Sequence, residues 1–236
     1  MSNMFSLEQH ITLFKLTGED VAIFLQNQTI NIFDKQESQP HYSAICNPKG
    51  RVLFSLIMWQ NKDDFYIGVD RSLAEQFKQY ISMRIFRMKV QINQSEQHIV
   101  TLSSANNTCF NDTKLSNKDQ QASADDNMFW SLFFRSKLPW ITQDTSEQFI
   151  PQHLSLDQHQ LIEYQKGCYP GQEIIARLHF IGRNKKQLTT IQLDPDNSFK
   201  NGQKVTINDI QAQLCSPSIT FNGQITAQIV KKSVPD

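Results

Sequence analysis

Turn chemistry at short intervals most limits what this chain can fold into. Asn47-Pro48-Lys49-Gly50 and Asn61-Lys62-Asp63-Asp64 cut the region after residue 40 into brief apolar runs. Runs of that length, closed by Asn, Pro, Gly and Asp, read as strands joined in hairpins. Tyr42 to Cys46 and Val52 to Trp59 form one hairpin, and Phe65 to Val69 follows as a further strand. Ahead of them, Ile11 to Leu16 reads as a strand. Thr17-Gly18-Glu19-Asp20 then opens a helix with Val21, Phe24, Leu25 and Gln28 at helical spacing. A second helix starts at a Ser72/Glu75 capping box and carries Leu73, Phe77 and Ile81. Strands near 89–92 and 98–102 complete the unit. Strands crossed by helices in this order predict an α+β fold with a split βαβ sheet.

The stretch 103–127 breaks the pattern. It is rich in Ser, Asn, Asp, Gln and Lys, so a flexible loop is expected there, with Cys109 exposed and without a role. Apolar sequence resumes at Phe129-Trp130-Ser131-Leu132-Phe133-Phe134 and at Leu138-Pro139-Trp140. A short helix is expected over 157–165, carrying Leu161, Ile162 and Tyr164. Beyond Lys186 come short strand-like runs, Leu188–Leu193, Lys204–Ile207, Ala212–Cys215 and Ile225–Val230. Turns at Asp194-Pro195-Asp196-Asn197, Asn201-Gly202 and Asn222-Gly223 separate them, which predicts a small C-terminal β-barrel or half-sandwich. A boundary near Asn184 divides the chain into 1–184 and 185–236.

Lys and Arg together number 23, and so do Asp and Glu, so no global field draws nucleic acid or an acidic membrane. The four cysteines are scattered without a CxxC pair, which argues against a disulfide scaffold or a structural zinc. His179 has no companion ligands, and no metal site is expected. With no leader-like start and no apolar run long enough to span a bilayer, a cytoplasmic protein is expected.

Lys166-Gly167-Cys168-Tyr169-Pro170-Gly171-Gln172-Glu173 is the stretch hardest to explain as packing alone. Pro170 suits the first turn of a helix running to Phe180, with Gly182 ending it. Cys168 then lies just outside the helix N-terminus, where the dipole and Lys166 favour a thiolate while Glu173 and Tyr169 oppose it. The same residues also read as a tight turn around a buried cysteine. Gln172 and Glu173 either orient Cys168 or cap the helix. Arg177 stands one turn beyond Glu173 and pairs with it, worth about 0.3–0.5 kcal/mol. His153 and His159 are candidate bases for the thiol. Arg183-Asn184-Lys185-Lys186 reads as a solvated basic turn.

The octapeptide, followed by Ile174-Ile175-Ala176-Arg177, resembles the signature of the YgfZ folate-binding proteins, relatives of the glycine-cleavage T-protein, an aminomethyltransferase. Further segments are similar in the same order: Leu16-Thr17-Gly18-Glu19-Asp20 with Phe24 to Thr29, Cys46-Asn47-Pro48-Lys49-Gly50-Arg51, Gln148-Phe149-Ile150-Pro151-Gln152, and Gly182 to Lys186. The resemblance implies an aminomethyltransferase-like folate-binding region whose middle domain is shortened to 103–127. It implies tetrahydrofolate or a one-carbon folate derivative as cofactor, contacted by Phe129, Trp130, Asn47 and Arg135. It makes Cys168 the motif thiol, with Lys166, Gly167, Tyr169, Gly171, Gln172, Glu173 and Arg177 around it. The implied function is support of the assembly or repair of iron–sulfur enzymes, some of which modify tRNA. Those enzymes or their assembly factors are the expected partners, without stable nucleic-acid contact.

The chain departs from the T-protein pattern where chemistry matters. Phe54 and Ser55 stand where T-proteins carry an acidic pair, and Arg135-Ser136-Lys137 replaces a Glu-Ala-Gly segment. A second folate-stacking aromatic falls at Ile11, with His10 beside it. These departures leave a folate-dependent aminomethyl transferase and a non-catalytic interaction module as alternatives.

Overall fold

The computed structural model describes residues 3–32, 40–61, 63–103, 113–117, 123–194, 199–207 and 209–233. Cys109 and most of the Asp194–Asn197 turn lie outside the described residues. In chain order the elements are β1 (Asn3–Ser6), β2 (Ile11–Thr17), α1 (Val21–Gln26), β3 (His41–Cys46), β4 (Val52–Asn61), β5 (Asp64–Asp70), α2 (Ala74–Ile85), β6 (Gln91–Gln94), β7 (His98–Ser103), β8 (Thr113–Ser116), α3 (Asp126–Ser136), α4 (Gln172–Phe180), β9 (Lys186–Gln192), β10 (Lys204–Ile207), β11 (Ile210–Leu214), β12 (Ile219–Phe221) and β13 (Gln224–Lys232).

The central sheet has the order β3-β4-β5-β2-β6, every neighbouring pair antiparallel. Since β5 and β6 both oppose β2, they run parallel to each other, and α2 links them across it. That is the split βαβ unit the sequence predicts. Every residue of β4 from Val52 to Trp59 is buried, as expected of a strand covered on both faces.

Helix α2 starts differently from the expectation. No side chain caps α2 itself, which follows a 3-10 turn over Arg71–Leu73; Asp70 caps that turn, its carboxylate accepting from the Ser72 amide at 3.0 Å and from the Ser72 hydroxyl. Ser72 Oγ in turn accepts from the Gln143 amide at 3.0 Å, so it is committed elsewhere. The helix expected over 157–165 is absent, and this stretch runs as turns. Ser155 and Gln160 both adopt φ near +56°, which interrupts any right-handed helix between them. Of the stretch 103–127, residues 104–112 and 118–122 lie outside the described residues. β8 pairs with β7, which itself pairs with β1, and Thr113 is buried.

The C-terminal unit is a five-stranded antiparallel sheet built on β13. One edge of β13 pairs with β9 along seven residues, and the other takes β12 and then β11. β12, which the sequence reading missed, is three residues long and turns back through Asn222-Gly223, both at positive φ. Between β10 and β9 no pairing closes a ring among the described residues. Cys215, Ile219 and Val230 belong to the main core with the central sheet and α3, while Leu193, Ala212, Leu214, Ala227 and Ile229 form a small second cluster. No described helix is long and apolar enough to cross a membrane.

Candidate functional site

The cysteine loop is positioned by a backbone contact. Gly171 sits at φ +81°, and a Cβ there would fall 2.5 Å from the Asn47 carbonyl oxygen and 2.6 Å from the Gly50 Cα. Only glycine permits both the left-handed backbone and the approach. This displaces the helix start: α4 begins at Gln172, and Pro170 belongs to the preceding turn rather than to the first helical residues. Gly167, by contrast, faces open space.

The partner turn is rigidly built. Asn47 Oδ1 accepts from the amides of Lys49 (2.9 Å) and Arg51 (3.0 Å), while its Nδ2 donates to Glu147 at 3.3 Å. Arg51 donates to the Gln148 carbonyl at 2.7 Å. Asn47, expected to touch folate, has its amide group engaged in holding the turn that supports the thiol loop.

Hydrogen bonds close the loop on itself. Gln172 Nε2 donates to the Lys166 carbonyl at 3.1 Å, and its amide donates to the Tyr169 carbonyl at 3.2 Å. Gln152 Nε2 donates to the Ile175 carbonyl in α4 at 2.7 Å. Lys166 points away from solvent, donating from Nζ to the carbonyls of Gln26 (2.7 Å), the last residue of α1, and of Asn31 (3.0 Å). Burial lowers its pKa to about 8. The two carbonyl contacts commit its side chain to anchoring the loop. Tyr169 lies beneath, its ring 5.0 Å from that nitrogen, and burial raises its phenol well above the ordinary range. The Tyr169 hydroxyl and Gln152 Oε1 are buried without hydrogen-bond partners.

Cys168 is exposed on this anchored loop. Cys46 and Cys215 are fully buried, and burial pushes the Cys215 thiol up to about 12. Glu173 and Arg177 are exposed and make no ion pair with each other among the described residues, contrary to the spacing expectation. Burial first, then Lys186 and Arg51, hold His153 at about 4, so it is a weak base. His159 lies 3.1 Å from the Lys137 carbonyl, and His179 stacks on Tyr164 at 3.9 Å.

The expected aromatic contacts form a second group on α3. Asp125 caps this helix by accepting from the Met128 amide at 2.7 Å. Phe129 and Trp130 are 1% and 6% exposed and pack edge-on to each other. The His10 ring stacks on Phe129 with centroids 4.2 Å apart and planes 17° from parallel. Sequence register points to Ile11 for that place, but Ile11 turns into the core of β2 and its neighbour takes the stack. Asp70 and Trp140 also went unnoticed in the sequence: Trp140 donates to the Asp70 carboxylate at 2.8 Å, and burial raises that carboxyl's pKa. Arg135 lies over the Phe221 ring at 5.3 Å, facing the C-terminal sheet. No hydrogen bond or ring contact joins this group to the thiol loop among the described residues. Ser55 is buried and accepts from the Ile141 amide at 2.8 Å, and Phe54 packs on Phe77 and Tyr80.

No family profile matches the chain. Its curated relatives do. It is 28% identical to the tRNA-modifying protein YgfZ of Blochmanniella pennsylvanica, over 78% of this chain and 69% of that one. It is 25% identical to the YgfZ of Buchnera aphidicola (subsp. Schizaphis graminum), over 97% and 88%. Among solved structures it is similar to glycine cleavage system aminomethyltransferase T from Bartonella henselae, with TM-score 0.63, covering 98% of this chain and 78% of that one at 11% identity. The chain is similar to YgfZ proteins along most of its length. Its fold is that of the aminomethyltransferases. In this chain the Gly171–Gly50 contact joins the hairpin to the cysteine loop.

Proposed function

We propose that this chain is a tetrahydrofolate-binding accessory protein that supports iron–sulfur enzymes, tRNA-modifying ones among them, through the Cys168 thiol. The observation that carries the reading is the thiol's presentation. Cys168 is exposed, yet its loop is anchored by Lys166, closed by Gln172 and backed by the hairpin turn. A merely structural cysteine has no need of such support. The relatives named tRNA-modifying proteins supply the pathway.

The folate part rests on the fold and on one local fit. Phe129 stacks a flat heteroaromatic ring already, that of His10, so its face accepts such a ring once His10 swings out. Arg135 or Lys137, at the end of α3, would meet the ligand's carboxylates. Bound folate supplies a one-carbon carrier. At Ser55, a neutral and engaged hydroxyl takes the place of the T-protein acid, which disfavours aminomethyl transfer.

The test is Cys168→Ala. Purified variant should bind tetrahydrofolate, followed by fluorescence titration, as tightly as the native protein. In cells lacking the native copy it should fail to restore the modified nucleosides made by iron–sulfur enzymes. Full restoration would remove the thiol from the function.

A further inference from the structure

The equal count of acids and bases conceals a local segregation. The C-terminal sheet borders a groove of about 460 Å³ whose lining holds Lys186, Lys204, Lys231 and Lys232 and no acid, with Lys231 set on the opposite face from the other three. Register places the side chains. Lys204 opposes Gln213, Gln213 opposes Val230, and Lys186 opposes Lys232. Opposed residues share a face, and so do residues two apart on a strand. Lys186, Lys204 and Lys232 thus project together, with Thr206, Gln211 and Gln213 between them.

Two features make this face unlike an ordinary solvated one. Lys186 and Lys232 are directly opposite across the β9–β13 ladder, an arrangement that costs stability unless an anion lies between the charges. None of these lysines makes a salt bridge among the described residues. The positive face also continues. Gln213 Nε2 donates to Gln148 Oε1 at 3.2 Å, and the Gln148 carbonyl accepts from Arg51. Arg51 closes the turn that abuts Gly171, with Lys49 exposed beside it. Glu147 is an acid along that path, bonded to Asn47.

We infer that this face is a docking site for the phosphodiester backbone of a structured nucleic acid, which would run from the C-terminal sheet past Arg51 toward the cysteine loop. Lysines supply the counter-charge, and the amide and hydroxyl side chains between them are donors suited to phosphate oxygens. Exposed apolar side chains, which a membrane surface would need, are absent from this face of the groove. The inference goes beyond the folate reading and does not depend on it.

The test is fluorescence anisotropy with a labelled hairpin RNA and the full chain, repeated over a range of KCl concentrations. Binding should weaken steeply with salt. The combined variant Lys186→Gln/Lys204→Gln/Lys232→Gln should bind at least about tenfold more weakly, with the salt slope reduced by about 2 to 3. Lys78→Gln, an exposed change on α2, should leave affinity and slope unaltered. A DNA hairpin bound equally well supports the site, since the shared backbone is the ligand. Equal affinity of native and combined variant overturns the inference, whatever its fold. So does tighter capture by anionic phospholipid vesicles, by an acidic peptide or by pyrophosphate alone.

Discussion

His10 has the most direct consequence for ligand binding. Its imidazole covers the Phe129 face on which a pterin would lie. His10→Ala should therefore tighten tetrahydrofolate binding by about 0.5–1.5 kcal/mol, the worth of one stacked pair no longer displaced. Titration showing weaker or unchanged binding would mean the ligand lies elsewhere. Trp130 carries the opposite expectation: it is core, and Trp130→Ala should cost about 3–5 kcal/mol of stability in urea unfolding. His153 gives a pH signature. Its folded pKa, about 4, lies below the ordinary 6.5, so as pH falls through that window the unfolded chain takes up a proton that the folded chain refuses. Stability should drop over that range, and His153→Gln should flatten the drop in urea midpoints measured at several pH values.

Elements differ in how openly the sequence declared them. The hairpin of β3 and β4 was readable because Asn47-Pro48-Lys49-Gly50 is local turn chemistry, and Asn222-Gly223 announced its own bend. The start of α4 was misplaced because its cause is tertiary: the Asn47–Gly50 backbone occupies the space beside Gly171. The false helix over 157–165 has a related origin, since nothing in Ser155 or Gln160 advertises a positive φ. Sequence register offers Ile11 as a folate-stacking position, whereas Ile11 is core and the ring lying on Phe129 is that of His10, one position earlier, a step that along extended chain exchanges core for surface. The work of Lys166 was not legible, because a lysine near a cysteine in sequence gives no hint that it reaches the carbonyls of Gln26, at the end of α1, and Asn31. At this scale Gly171→Ala should destabilise the fold by about 1–3 kcal/mol and raise the maleimide reaction rate of Cys168 as the loop loosens. An unchanged rate with lowered stability would separate the contact from the thiol's presentation.

Across the whole molecule, the division near Asn184 marks a change of topology, but apolar packing crosses it. Val230 and Ile219 enter the main core, and buried Gln228 donates to the Leu138 carbonyl at 3.1 Å. Unfolding should therefore be one cooperative event. All three tryptophans precede residue 184, whereas Cys215 reports on the C-terminal sheet. Tryptophan emission and Cys215 labelling should change at the same urea concentration, and earlier labelling would reveal a sheet that opens alone.

The meeting of Gly171 and Gly50 also bears on how such a chain can change over time. Gly171 has no room for a methyl group beside the Asn47–Gly50 backbone, and a Cβ at Gly50 would crowd the Ile174 side chain of α4 at 3.1 Å, so a new side chain at either demands a shift across the contact. Hairpin and thiol loop, distant in sequence, are thereby bound to a shared history, and a displacement imposed on one would be felt at the sulfur carried by the other.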